Sequence, residues 1–137
     1  MTSEKSNKTV KVIQKRVFDI FTLELRDDGI LHIHLSNEKE YTLVGIKEVN
    51  LLIGEMVNYT PLPVLMSADD FVVFPEGARE MNAKKNTFPY SKAVAYLAKT
   101  PAHQLIVSFY INNNKPERPT KMFETEEDAL KWLKTFL

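Results

Sequence analysis

The 137-residue chain contains no cysteine, which excludes disulfides, thiolate metal sites and a cysteine nucleophile. Its 18 basic and 18 acidic side chains cancel, and this zero net charge argues against a nucleic-acid partner held by a broad basic field. No apolar run is long enough to span a membrane. Residues 1–7 are polar and lack the apolar core of a signal peptide, so we expect a cytoplasmic protein.

Glycine is also scarce, with four residues in the chain. Neither a Gly-x-Gly-x-x-Gly fingerprint nor a Walker loop is present, which excludes a glycine-rich phosphate cradle. Gly45 and Gly54 lie inside a predicted helix, where each costs about 1 kcal/mol against alanine, and this favours close packing of that helix in the core. No serine lies in a Gly-x-Ser-x-Gly context or has an evident partner base, so we expect neither an enzyme nor a cofactor.

What is present is the composition of an ordinary globular protein, with 44% apolar and 26% charged residues. Residues 1–16 carry five lysines and arginines and little apolar weight. This segment is therefore predicted to be a flexible polar arm, and residues 17–137 are predicted to form a single domain.

A β-hairpin is the first predicted element of that domain. Apolar and polar residues alternate over two segments, which predicts strands over 20–26 and 30–35. Asp28 and Gly29 between them favour a type I′ turn, whose two central residues both need positive φ.

Helices and short strands alternate in the rest of the chain. Apolar residues at helical spacing predict a helix over 43–58, and a proline followed by good helix formers predicts another over 75–85. Short apolar runs predict further strands over 63–66, 93–97 and 119–123.

The last two helices are predicted from their caps. Residues 104–111 are rich in β-formers and could be a strand, but Thr100 is a good N-cap and Pro101 suits the first helical position. We therefore favour a helix there. Thr125 and three following acidic residues open the final helix, and its apolar stripe predicts that Trp132 is buried.

The resulting order is β-β-α-β-α-β-α-β-α, an α/β fold. Strands that alternate with helices pair in parallel through right-handed crossovers. We therefore predict a mainly parallel sheet with an N-terminal antiparallel hairpin strand and four helices.

Several short stretches match a known family. They are Leu25–His34, Pro61–Leu65, Glu76–Arg79, Asn114–Thr120 followed by Phe123, and Glu126–Leu133. Together they resemble the SpoIIAA-like fold family, which includes STAS domains and a set of small uncharacterised bacterial proteins. The similarity is to that set rather than to the anti-anti-sigma factors. It implies a SpoIIAA-like fold, a helix over 101–113, and a non-enzymatic interaction or regulatory module of bacterial type.

One property of STAS domains does not transfer to this sequence. Anti-anti-sigma factors carry a phosphorylatable Ser or Thr in an Asp-Ser-Ser-Gly-like motif that opens a helix. Ser67 lies at the corresponding place, but the following Gly and the helix start are absent. This context favours a loop or capping serine.

The three histidines are weak candidates for chemistry. His32 and His34 are two apart on a predicted strand, so both side chains point to one face and could share a metal. Zinc needs a third well-placed ligand, which is not evident, and we expect no zinc site. His103 lies in the first turn of a predicted helix, where a capping or surface role is favoured.

Two surfaces are candidates for the functional site. The carboxyl ends of parallel strands meet at one sheet edge, where ligands bind. The polar residues predicted at that edge are Ser36, Asn37, Ser67, Asp69, Thr100 and His103. An apolar patch of Phe71, Val72 and Phe74 would instead suit a protein partner or a homodimer. Our first hypothesis is an interaction or regulatory module, and the alternative is a small-ligand-binding domain that uses the edge.

Overall fold

A computed structural model describes residues 10–18, 21–36, 43–69, 79–80, 83–84 and 89–137. Its strands are β1 (Val12–Val17), β2 (Phe21–Arg26), β3 (Leu31–Leu35), β4 (Leu62–Ala68), β5 (Ser91–Leu97) and β6 (Thr120–Phe123). Three helices have described bounds: α1 (Leu43–Met56), α2 (Pro101–Phe109) and α3 (Glu126–Leu133). A π-helical turn, Tyr110–Asn114, follows α2, and a 3-10 turn, Lys134–Phe136, follows α3.

The six strands form one sheet whose spatial order, β1-β2-β3-β4-β5-β6, is also their order in the chain. The first three strands pair antiparallel, and β3 to β6 pair in parallel. This confirms a mixed α/β fold in which an antiparallel hairpin leads into parallel strands. Most of the helix predicted over 75–85 lies outside the described residues.

Strand β1 was not predicted, and it overlaps the segment 1–16 expected to be a flexible arm. It pairs antiparallel with β2 at the edge of the sheet, and nearly all of its side chains are exposed. A strand without a buried face needs no alternation of apolar residues, so its sequence gives no periodic signal.

The predicted type I′ turn between β2 and β3 is wrong. Gly29 has a φ of 83°, but Asp28 is not in the positive-φ region. The Asp28 carboxylate instead accepts hydrogen bonds from Arg26 Nη2, at 2.7 Å, and from the backbone N–H of Ile30, at 3.3 Å. The backbone N–H of Arg26 bonds the carbonyl of Ile30, which leaves a three-residue loop that ends in glycine.

Most of the segment 104–111, whose composition also suited a strand, lies in helix α2, and the cap at the start of that helix explains this. The Thr100 hydroxyl accepts a hydrogen bond from the His103 backbone N–H at 3.1 Å, and Pro101 occupies the first turn. Close packing of α1 at Gly54 is also confirmed, since a Cβ there would lie 2.9 Å from Tyr90 Cε2. Trp132 is half-buried at the margin of the core, between the rings of Phe123 and Phe136.

The two faces of the sheet are covered differently. Successive right-handed crossovers in one direction place their helices on the same face. In agreement, α1 and the end of α2 pack into the larger apolar core with Leu23, Ile33 and Met66. Helix α3 covers Leu65 and Ala95 on the opposite face. Beyond α3, that second face carries polar side chains from β2, β3 and β4 and is only half-buried. Within the part of the chain described, no helix is both long and apolar enough to cross a membrane.

Candidate functional site

A row of five polar side chains crosses the open part of the second face. Strand register explains their alignment, because Glu24 pairs with His32 across β2 and β3, and His34 pairs with Ser67 across β3 and β4. Residues two apart on a strand share a face, so both histidines point to the same side. Asp69 follows β4 directly and completes the row. We call these five residues the Ser67 array.

Ser67 lies at the centre of the array. Its Oγ is 2.7 Å from His32 Nε2 and 2.7 Å from His34 Nδ1. The other ring nitrogen of His34, Nε2, is 2.8 Å from Asp69 Oδ1. The other ring nitrogen of His32, Nδ1, is 3.7 Å from Glu24 Oε1. One hydroxyl therefore links two imidazoles, and each imidazole faces a carboxylate.

The donor and acceptor groups of these side chains indicate which partner donates in each hydrogen bond of the array. An ionised carboxylate can only accept, so His34 Nε2 donates to Asp69, and the neutral ring then accepts at Nδ1. The Ser67 O–H donates to that Nδ1, and the Ser67 oxygen accepts from the His32 Nε2–H. The donors therefore run from His32 through Ser67 and His34 to Asp69.

The surroundings of His32 favour its neutral form. Burial lowers the pKa of His32 below 6.5, and the nearby His34 and Arg26 act in the same direction. The carboxylates of Glu24 and Glu126 oppose this shift by attraction to the charged form. A neutral His32 still supplies the single N–H that the array needs.

Two adjoining cavities open beside the array. The polar one, of about 250 Å³, is lined by His34, Ser67, Ala68, Leu97, Lys99, Thr100 and His103. The apolar one, of about 60 Å³, shares Ser67, Ala68, Leu97 and His103 and adds Leu35, Met66, Tyr96, Ile106 and Val107. His103 Nε2 lies 3.1 Å from the Asp69 carbonyl oxygen, so a hydrogen bond ties the start of α2 to the end of β4. The carboxyl ends of β4 and β5 therefore form one concave site.

Four of the six residues predicted at this edge come together there: Ser67, Asp69, Thr100 and His103. Ser36 follows β3 and lines neither cavity, and Asn37 lies outside the described residues, as do Phe71, Val72 and Phe74 of the predicted apolar patch.

The expectation that no serine has a partner base is wrong for Ser67, which bonds both imidazoles. The sequence did contain a signal for this contact, namely two histidines on one strand and a Ser-x-Asp at the end of the neighbouring strand. That signal predicts the contact only when the register between the two strands is known. In the described ranges, no three acidic or imidazole side chains are grouped as a metal site requires.

Helix α2 presents a second surface. None of its residues is buried, and its outward side exposes Leu105 (72%), Ile106 (42%) and Phe109 (50%). The helix sequence contains no charged residue. This is an exposed apolar strip on an element that also borders the cavities.

Together, the fold and the site define a mixed α/β protein with a hydroxyl–imidazole–carboxylate array at the carboxyl edge of its parallel strands. The chain belongs to the family described as a domain of unknown function, DUF7793, whose model matches residues 23–137 and so includes the whole array. No curated protein matches the chain. A crystal structure at 2.20 Å of a protein with unknown function from Arthrobacter sp. fb24 is 24% identical over 81% of this chain and 90% of that chain. Its TM-score is 0.30.

Proposed function

We propose that the protein binds a small carboxylate in the two adjoining cavities. The observation that carries this proposal is the convergence of Lys99, Thr100 and His103 on the polar cavity of about 250 Å³. Lys99 is the one lysine or arginine among the described lining residues, and none of them is acidic. The nearby Asp69 carboxylate does not line the cavity and is held 2.8 Å from His34 Nε2. The N-terminal end of α2, which carries positive partial charge, lies at the same place. Both features favour an anion.

The neighbouring apolar cavity limits the size and polarity of the uncharged part of the ligand. Its volume of about 60 Å³ and its apolar lining by Leu35, Met66 and Val107 suit a short hydrocarbon chain. Because the two cavities share Ser67 and His103, one ligand can fill both. The proposed ligand class is therefore a short-chain carboxylate, with its charged end toward Lys99.

The binding test is a titration of the protein with butanoate, followed by amide chemical shifts. We expect shifts at residues 97–107, and no comparable shifts with butylamine, which has the opposite charge. Lys99→Met should weaken butanoate binding about 10-fold, the loss typical of one charge-assisted contact. Lys92→Met, which removes an exposed lysine of β5, is the matched control and should leave binding unchanged. Equal shifts with butylamine, or none with butanoate, would contradict the proposal.

Self-association through α2 is the second candidate function. It is supported by the exposed side chains of Leu105, Ile106 and Phe109, which lie on a helix whose own sequence contains no charged residue. A two-fold axis can pair such a strip with its own copy. Sedimentation equilibrium should then detect a homodimer that the double variant Leu105→Asp, Phe109→Asp dissociates. Leu51→Asp, at an equally exposed leucine (72%) of α1, should leave the dimer intact. A monomer in the unmodified protein excludes this candidate.

We also propose that the topology is SpoIIAA-like and that residues 75–85 form its fourth helix. The support is the hairpin followed by parallel strands in chain order, with a helix after β3 and another after β5. Backbone chemical shifts of residues 75–85 provide the test. Helical shifts are expected, and extended or coil values would contradict the fourth helix.

A further inference from the structure

We propose that Ser67 is an activated nucleophile and that the site hydrolyses esters of short-chain carboxylic acids. The inference rests on the function proposed above only for the substrate class, because the acid released is the proposed ligand. The nucleophile itself is argued from the geometry of the Ser67 array.

The array has the connectivity that an activated serine requires. The Ser67 hydroxyl donates to His34 at 2.7 Å, and the opposite nitrogen of His34 donates to Asp69 at 2.8 Å. A base within hydrogen-bond reach of the hydroxyl, oriented by a third group, is the general arrangement of nucleophilic catalysis. Here the serine faces Nδ1 and the carboxylate faces Nε2. Either ring nitrogen can be the base, because the carboxylate fixes which one carries the proton.

His32 adds a second contact to the same oxygen. In the tautomers assigned above, its Nε2–H donates over 2.7 Å to a lone pair of Ser67 Oγ, whose own proton goes to His34. A donor at this position stabilises negative charge on Oγ when the proton moves to His34. It also stabilises Oγ when the serine later leaves the acyl group.

The cavities give a substrate access to this oxygen. Ser67 and His34 both line the polar cavity, and the apolar cavity beside them has room for a short acyl chain. Lys99 and Thr100 line the same cavity and bring to it a cation and a hydroxyl, groups of the kind that stabilise a negative carbonyl oxygen. The Thr100 oxygen accepts the His103 backbone N–H, which leaves its own O–H to donate.

The first half of the reaction forms an acyl-enzyme. Ser67 Oγ attacks the ester carbonyl carbon while its proton passes to His34 Nδ1, and Asp69 stabilises the resulting imidazolium. The tetrahedral intermediate then collapses. The bond from the carbonyl carbon to the alcohol oxygen breaks, and His34 returns the proton to that oxygen.

Water completes the reaction. Its oxygen attacks the acyl carbon and gives a proton to His34, the bond from the carbon to Ser67 Oγ breaks, and Oγ takes the proton back. The products are an alcohol and a carboxylic acid, and the reaction consumes only water.

The experiment measures hydrolysis of p-nitrophenyl butanoate by the full chain. We expect Ser67→Ala and His34→Gln to release p-nitrophenol at least about 100-fold more slowly, the usual contribution of nucleophile and base. Asp69→Asn, at a positioning residue, should lower kcat and leave KM nearly unchanged. Ser108→Ala is the matched control and should keep full activity. The ester of decanoic acid should be a poor substrate, because its chain exceeds the apolar cavity.

Covalent labelling makes the test independent of variant folding. A fluorophosphonate should add one adduct to the unmodified protein at Ser67. Equal turnover by Ser67→Ala, or no adduct at Ser67, would overturn the nucleophile. If butanoate binds but neither turnover nor adduct is found, the nucleophile fails while the binding function stands. If Ser67-dependent turnover occurs without butanoate binding, the nucleophile stands and the binding function fails.

Discussion

Replacing Ser67 with alanine tests whether the Ser67 array stabilises the protein. The substitution removes one oxygen and leaves the strand backbone unchanged. It deletes two hydrogen bonds at once, because His32 and His34 each lie 2.7 Å from that oxygen. The imidazoles then lose their common partner on a half-buried part of the sheet.

The magnitude follows from the number of bonds and from their exposure. A typical intramolecular hydrogen bond contributes about 0.5–1.5 kcal/mol net, so two give about 1–3 kcal/mol. The side chains of His32 and His34 are 22% and 36% exposed, so water can replace part of what is lost. We therefore expect the free energy of unfolding to fall by about 1–2 kcal/mol.

Urea denaturation followed by the fluorescence of Trp132, the single tryptophan, measures this loss. Ser108→Ala is the control, because the Ser108 hydroxyl makes a weak contact with the sulfur of Met122 at 3.9 Å. Its loss should stay below about 0.5 kcal/mol. Ser67→Thr keeps the hydroxyl and should recover most of the stability. A loss for Ser67→Ala no larger than that for Ser108→Ala would refute the reasoning.

Three further predictions address the core, the turn and the pH dependence. Leu133→Ala empties a fully buried position on α3 and should cost about 2–5 kcal/mol in urea denaturation, whereas Leu51→Ala, at a 72% exposed position, should cost under about 0.5 kcal/mol. Gly29→Ala should raise the free energy of the folded state by about 1–2 kcal/mol, because φ is 83° and the new Cβ would lie 2.9 Å from Leu137 Cδ2; Gly29→Asn should cost less by the same assay. Burial lowers the pKa of His32, so just below about pH 6.5 the unfolded chain binds more protons than the folded chain. The free energy of unfolding should therefore fall as the pH is lowered through that window. His32→Gln should flatten this slope in denaturation curves taken between about pH 7.5 and 5.5.

The sequence predicted the elements that depend on local signals. Alternation in Phe21–Leu25 and the cap formed by Thr100 act within a few residues, and both gave elements that are observed. The turn at Asp28 was predicted wrongly, because the Arg26 side chain holds the aspartate in a conformation that the dipeptide signal does not include. Strand β1 was missed because its stability comes from pairing with β2 and not from a buried face.

The site could be predicted only in part, because its chemistry depends on pairing between distant segments. The rule that the carboxyl ends of parallel strands meet at one sheet edge predicted that Ser67 and Thr100 lie close together, and both line the polar cavity. The hydrogen bond from Ser67 to His34 joins residues 33 apart in the chain and requires the exact register of β3 on β4. A shift of one residue would turn both histidines into the apolar core. Composition and spacing do not fix that register.

The match between strand order and chain order has a consequence for how the protein is made. Each strand pairs with the one before it, so the sheet can grow strand by strand as the chain leaves the ribosome, starting from the hairpin. All five residues of the Ser67 array belong to the part of the chain that ends at Asp69, whereas the cavities also need β5 and α2. During synthesis, we expect the Ser67 hydroxyl and the two imidazoles to come into contact first. The two cavities beside them form afterwards, when β5 and α2 have been made.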